Sequence, residues 1–173
     1  MTDPRTTGAF LAKLSDAPIY WSVDILWTML ATGEQTGGAY SLMEELCPQG
    51  SGPPPHVHRG QHETFYILEG EITFISDGKT LNATAGSMVE IPPDTVHSFK
   101  VTSPTARMLN LYVPAGFENA IIELGEPALS RTLPPQDLPR PSGKRVQEVN
   151  EKYGMFTIEP VTDDYGRTNL TDG

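Results

Sequence analysis

The stretch GSGPPPHVHRGQHETFYILEG, residues 50–70, decides the reading of this chain. It contains His56-Val57-His58, and on an extended strand residues two apart share a face, so both imidazoles project together. A short loop through Gly60 then lets Glu63 return to that face. His97 arrives from a later strand, after the turn Pro92-Pro93-Asp94. The chain has four histidines, all between positions 56 and 97. Three imidazoles and one carboxylate suit a single borderline divalent ion such as Fe, Mn, Ni, Co or Zn. Cys47 is the only cysteine, so it has no partner for a thiolate site or an intrachain disulfide, and a buried, inert thiol is expected. His62 precedes Glu63, and strand parity sends it to the opposite side, as a loop or supporting histidine.

Outward from this centre the pattern is extended chain broken by turns. TFYIL (residues 64–68) and ITFI (72–75) are rich in β-branched and aromatic residues. Glu69-Gly70 and Asp77-Gly78 then predict successive hairpins. Residues 87–91, 96–101 and 107–113 complete a central series of strands. Upstream, Ile19, Trp21, Val23, Ile25, Trp27 and Met29 fall on one parity, which predicts two short strands broken near residues 22–24. Residues 31–38 (ATGEQTGG) read as a turn, and residues 39–47 as a further strand. Downstream, FENAIIEL (117–124) looks helical. Residues 133–141 are too proline-rich for regular structure. Residues 142–153 form a second helix, with Ser142 as N-cap, Val146, Val149 and Tyr153 on one face, and Gly154 as the stop. The expected organisation is an arm over residues 1–18 and an all-β barrel over 19–125. Residues 126–173 form a proline-rich linker and a C-terminal helix packed on the barrel, with the last dozen residues frayed.

A chain of 173 residues, 38% hydrophobic and 20% charged, fits one globular domain with flanking segments. Sixteen glycines and sixteen prolines punctuate the short apolar runs, as an all-β domain requires. The net charge of −10, from 12 basic and 22 acidic residues, repels phosphate backbones, and no basic stripe interrupts it, so nucleic acid is set aside. No apolar run reaches the length of a membrane span, and residues 1–10 lack a secretory pattern. The expectation is a cytoplasmic protein with no membrane partner.

The motifs identify a resemblance. Gly50, His56, His58, Glu63 and Gly70 fit the first cupin motif, G-x5-H-x-H-x4-E-x6-G. Gly86, Pro92 and His97 fit the second, G-x5-P-x-G-x2-H-x3-N, with Asp94 in place of its glycine and Val101 in place of its asparagine. Aspartate also tolerates turn conformations. Val101 shares parity with His97 and Phe99, which makes the expected cavity more apolar. The pieces LATGEQTGGAY (30–40), PPPHVH (53–58) and PAGFE (114–118) extend the resemblance to small single-domain cupins, among them bacterial quercetin 2,3-dioxygenase-like proteins.

The resemblance implies a jelly-roll barrel with a metal held by His56, His58, Glu63 and His97, and a homodimer. It also implies a dioxygenase acting on a flavonol or a similar enolisable aromatic compound. In that scheme Glu63 deprotonates the 3-hydroxyl of a flavonol, dioxygen attacks the activated ring, the ring opens and carbon monoxide leaves. Phe65, Ile67, Phe99 and Val101, on the inward parity, would line the substrate pocket. Two alternatives stand beside it. One is another cupin enzyme (isomerase, cyclase or hydrolase) using the metal as a Lewis acid; the other is a non-catalytic module that binds a small molecule.

Overall fold

Alternating apolar and polar residues give the central strands one inward face each, and those faces meet across a barrel. The computed structural model describes residues 8–163; expectations for residues 1–7 and 164–173 lie outside that range. In chain order the described elements are β1 (Ile19–Ser22), β2 (Ile25–Ala31), α1 (Gly33–Thr36), β3 (Ser41–Pro48), β4 (His56–His58), β5 (His62–Glu69), β6 (Glu71–Ser76) and β7 (Lys79–Thr84). They continue with β8 (Met88–Ile91), β9 (His97–Val101), β10 (Thr105–Val113), α2 (Glu118–Leu124), β11 (Glu126–Pro127), α3 (Gly143–Lys152) and β12 (Met155–Thr157). One sheet runs β11-β1-β2-β3-β10-β5-β8 and the other β12-β4-β9-β6-β7. The fold is all-β, two antiparallel sheets closed around a core, with helices confined to short segments.

Parity explains the core. On β5, Glu63, Phe65 and Ile67 are buried while His62 and Tyr66 face out. On β10, Ala106, Met108, Asn110 and Tyr112 point inward. Between the sheets Phe65, Phe74 and Phe99 pack with ring centroids 4.9 to 5.6 Å apart, in the tilted and edge-on arrangements that aromatic quadrupoles favour.

Two turns behave differently from one another. Asp77 and Gly78, with φ of 48° and 74°, make the two-residue hairpin between β6 and β7; positive φ at both central positions is what a type I′ turn requires. Gly70 instead carries the chain from one sheet to the other, so β5 and β6 are not the hairpin that Glu69-Gly70 predicts. A Cβ at Gly70 would lie 2.4 Å from the Thr105 carbonyl oxygen, and only glycine permits that approach at φ 86°.

Other differences are local. Residues 33–36, expected as turn, form a helical turn: Gln35 Oε1 accepts from the Thr32 N–H at 3.0 Å, and Gly37 closes it at φ 63°. β7 carries only one buried residue, Ala83, which leaves it without an apolar signature. α3 forms as its cap predicts, with Ser142 Oγ accepting from the Arg145 N–H at 3.2 Å and Val146 and Val149 buried. Glu123 ties α2 to it through Arg145 (2.8 Å), Lys152 (2.6 Å) and the Tyr153 hydroxyl (2.9 Å). β12 then pairs with β4, so the segment after α3 is part of the second sheet. Among the described residues no helix is long and apolar enough to cross a membrane.

Candidate metal centre

The geometry of the four ligand candidates follows from strand pairing. His56 and His97 are direct partners across β4 and β9, while His58 continues β4 and pairs with Met155 of β12. Glu63 enters from β5 in the other sheet, opposite Tyr112 of β10. One ligand atom from each of His56, His58, Glu63 and His97 falls within 4.8 Å of the others, and all four residues are buried.

Backbone carbonyls set the imidazole orientations. His56 Nδ1 lies 2.9 Å from the Pro54 oxygen and His97 Nδ1 2.9 Å from the Thr95 oxygen. Each Nδ1–H donates outward, which leaves Nε2 bare and basic, the tautomer a metal ligand needs. His97 Nε2 then faces Glu63 Oε2 at 2.8 Å, and His58 Nε2 lies 3.5 Å from the same oxygen. A bare nitrogen and a carboxylate oxygen at that distance are two acceptors, and they require a proton or a cation between them. The residues therefore fit a divalent ion of the borderline class.

Electrostatics agree. Burial, with His97 and His58 as neighbours, lowers His56 to about 3, and burial also lowers His58, so both stay neutral at pH 7. Burial by itself would raise Glu63, but the His58, His97 and His56 imidazoles hold its carboxyl well below the usual range. Burial works to lower His97, but the hydrogen bond and charge of Glu63 outweigh it and raise the imidazole above its ordinary value.

Several contacts went beyond the motif. Glu63 Oε1 accepts from the Tyr112 hydroxyl at 2.6 Å and from Asn110 Nδ2 at 3.1 Å. The same amide donates to Glu45 Oε1 at 2.7 Å. Burial, opposed by Asn110 and reinforced by Glu63, raises Glu45 to about 8. A readable signal existed: Glu45 interrupts the inward parity Ser41, Met43, Cys47 of β3, and Asn110 interrupts that of β10. Cys47 is buried and its thiol is pushed well up by that burial, matching the expected inert thiol.

Glu45 makes a prediction for the metal-free protein. A carboxyl raised from 4.5 to about 8 holds its proton more tightly when folded, so stability falls as pH rises between those values. That difference corresponds to on the order of 5 kcal/mol. Glu45→Gln is expected to flatten this slope, gaining on the parent at pH 9 and not at pH 5. Denaturant melts of chelator-treated protein across that range check it, and parallel slopes would refute it.

His62 is half-exposed on the outer face of β5, with Nδ1 2.8 Å from Glu90 Oε1. His62→Ala is expected to retain the full metal content, measured by elemental analysis. Asp94 adopts φ 61° and its carboxylate pairs with Arg59 at 3.0 Å, so aspartate fills the left-handed position where the motif has glycine.

A cavity of about 60 Å³ opens beside the cluster. His56, His58, Glu63 and Phe99 line it, and Phe117, Ile121 and Leu124 from the α2 end, Val146 and Asn150 of α3, and Met155 cap it. Phe65, Ile67 and Val101 are enclosed in the core and do not line it.

The family profile described as a cupin domain matches residues 42–113, which hold β3 through β10 and all four ligand candidates. The barrel has a cupin fold. A stretch of 111 residues is 32% identical to quercetin 2,3-dioxygenase of Bacillus subtilis (strain 168), covering 64% of this chain. It covers 33% of the relative, so this chain spans about a third of that protein's length. Among solved structures, an RmlC-like cupin from Shewanella frigidimarina NCIMB 400 matches with TM-score 0.57 at 18% identity, over 65% of this chain and 96% of that one. A predicted oxalate decarboxylase from Thermotoga maritima matches with TM-score 0.55 at 24% identity, over 61% and 99%. These two likenesses concern the fold.

Proposed function

We propose that this cupin is a metal-dependent dioxygenase that cleaves a flavonol or a similar enolisable aromatic compound with O2. The observation that carries it is the buried His56–His58–Glu63–His97 group at the cavity, in a chain with 111 residues 32% identical to part of a quercetin 2,3-dioxygenase. When bound, a divalent ion would supply a positive centre for an enolate oxygen and for oxygen chemistry. Three neutral imidazoles and the Glu63 carboxylate would hold it. Glu63 also accepts the proton of the substrate hydroxyl. Tyr112 and Asn110 hold its Oε1 by hydrogen bonds and so fix Oε2 toward the imidazoles. Phe99 and Phe117 give the cavity apolar walls for a flat ring.

The cavity volume constrains the substrate. About 60 Å³ is far below the roughly 300 Å³ at which drug-sized ligand sites begin, so a flavonol enters only when the cap of α2, α3 and β12 moves outward. The same confinement favours a second reading, a smaller substrate isomerised, cyclised or hydrolysed with the metal as Lewis acid. Glu45, protonated at neutral pH and linked to Glu63 through Asn110, supplies a proton for such chemistry without oxygen.

Elemental analysis of the purified protein, followed by oxygen uptake against a panel of flavonols, tests the proposal. The expected result is about one metal per chain, with one O2 consumed per flavonol cleaved. Metal-loaded protein that consumes no oxygen with any flavonol would overturn the dioxygenase reading.

A further inference from the structure

The cavity has a second polar wall that the metal group does not use. The end of β1 and the turn after it present Ser22 and Asp24 to it, and Trp27 of β2 lies on the same lining. All three are buried: Asp24 is 5% exposed, Ser22 3% and Trp27 6%. Yet Asp24 Oδ2, Ser22 Oγ and Trp27 Nε1 make no hydrogen bond to the protein. A buried polar atom without a partner is destabilising, and native interiors hold few of them. With Ser51 Oγ, a fourth such atom on the same lining, they point to a partner from outside the chain.

We infer that this wall is a hydrogen-bonding subsite for a neutral hydroxyl of the ligand, whose other end lies at the His56–His58–Glu63–His97 group. The orphaned atoms select the chemistry. Asp24 Oδ2 accepts, the Trp27 indole N–H only donates, and the Ser22 hydroxyl does either. A hydroxyl is donor and acceptor at once, so it satisfies the set. An ammonium would leave the indole N–H without an acceptor. A carboxylate or phosphate would meet the carboxylates of Asp24 and Glu63, which both line this cavity. Burial raises Asp24 to about 6, against the lowering effects of Ser51 and Arg140, which leaves it an acceptor at neutral pH. The ligand class is therefore a hydroxylated ring, an alcohol or phenol at this end.

The inference deepens the proposed function, from which it takes the metal-facing end of the ligand. The test is anaerobic calorimetry on metal-loaded parent and Asp24→Ala, titrated with quercetin and with 3-hydroxyflavone. Both ligands keep the 3-hydroxyl and adjacent carbonyl; 3-hydroxyflavone lacks the other hydroxyls. Asp24→Ala is expected to weaken quercetin about tenfold, the equivalent of one hydrogen bond to a charged group, and to leave 3-hydroxyflavone within about twofold. Asp24→Asn, nearly the same shape, serves where the alanine variant does not fold. Equal weakening of both ligands, or none for quercetin, overturns the subsite. A parent that binds neither flavonol overturns the flavonol reading instead, and phenol against benzene then decides the subsite. Phenol is expected to shift the backbone amide resonances of residues 22–25 in the parent and not in the Asp24 variant. Matching responses to phenol and benzene, or no response to either, would end the inference.

Discussion

Replacing either His56 or His58 with alanine is expected to abolish tight metal binding, taking the content from about one equivalent to near none. The two imidazoles leave β4 toward one point, and each is held there by burial. Removing only the supporting partner of a metal-bound histidine costs about 10- to 100-fold in affinity, so removing the ligand itself costs more than that. The barrel should survive, because His56 pairs with His97 through backbone and the core rests on Phe65, Phe74 and Phe99. Circular dichroism would show an unchanged β signal beside the lost metal. In the parent, acidity should have a directional effect. Burial lowers both His56 and His58 and so favours their neutral forms, but Glu63 raises His97 above its ordinary value. A proton therefore competes first at His97, and affinity should fall as pH drops and that imidazole takes up its proton. Isothermal titration of a metal series at pH 8, 7 and 6 measures it. Full metal content in both alanine variants would remove the assignment of the site.

The strand pattern made the centre legible before the structure, and the reasons are specific. His56 and His58 stand two apart on a strand, and Glu63, Phe65 and Ile67 continue one parity on β5. Period-two patterning carries facing information, and that is what a barrel needs. The elements that escaped notice lack it. β7 buries one residue and β12 is three residues long, held by pairing with β4 about a hundred positions earlier in the chain. Local sequence does not encode such distant pairing. Gly70 failed as a hairpin signal for a related reason. A turn residue reports positive φ, not which sheet the next strand joins. Glu45 and Asn110 were visible as polar breaks in apolar parities, but only the pairing of β3 with β10 brings them beside Glu63. The cap was not legible either. Two helices were readable from their own patterns, while their position over the cavity depends on β12 and on Glu123 bridging α2 to α3.

Glu63→Gln should separate holding the metal from using it. Glutamine keeps the shape of the side chain, and the surrounding donors decide which way its amide turns. Tyr112 and Asn110 both donate to Oε1, so the amide oxygen belongs on that side. The amide nitrogen then replaces Oε2 and donates toward His97 Nε2, where the carboxylate stands at 2.8 Å. The variant thus offers two free imidazoles, and a third once the metal displaces that N–H, with no fourth ligand from position 63. Metal should remain measurable with weakened affinity, and the β signal should be unchanged. Turnover should nevertheless fall by about 10²- to 10⁴-fold, the usual cost of losing a general base, since an amide cannot accept the substrate proton. Glu63→Asp is the companion: it keeps the base but shortens its reach, and it should recover part of the loss if proton transfer is the role. The informative comparison is oxygen uptake per bound metal, because it removes the trivial effect of reduced occupancy. Under a binding role alone there would be no turnover to lose, and affinity for 3-hydroxyflavone would change little. Near-parental oxygen uptake per metal in Glu63→Gln would leave Glu63 as a ligand, end its role as base, and return the choice to the Lewis-acid chemistries that need no such carboxylate.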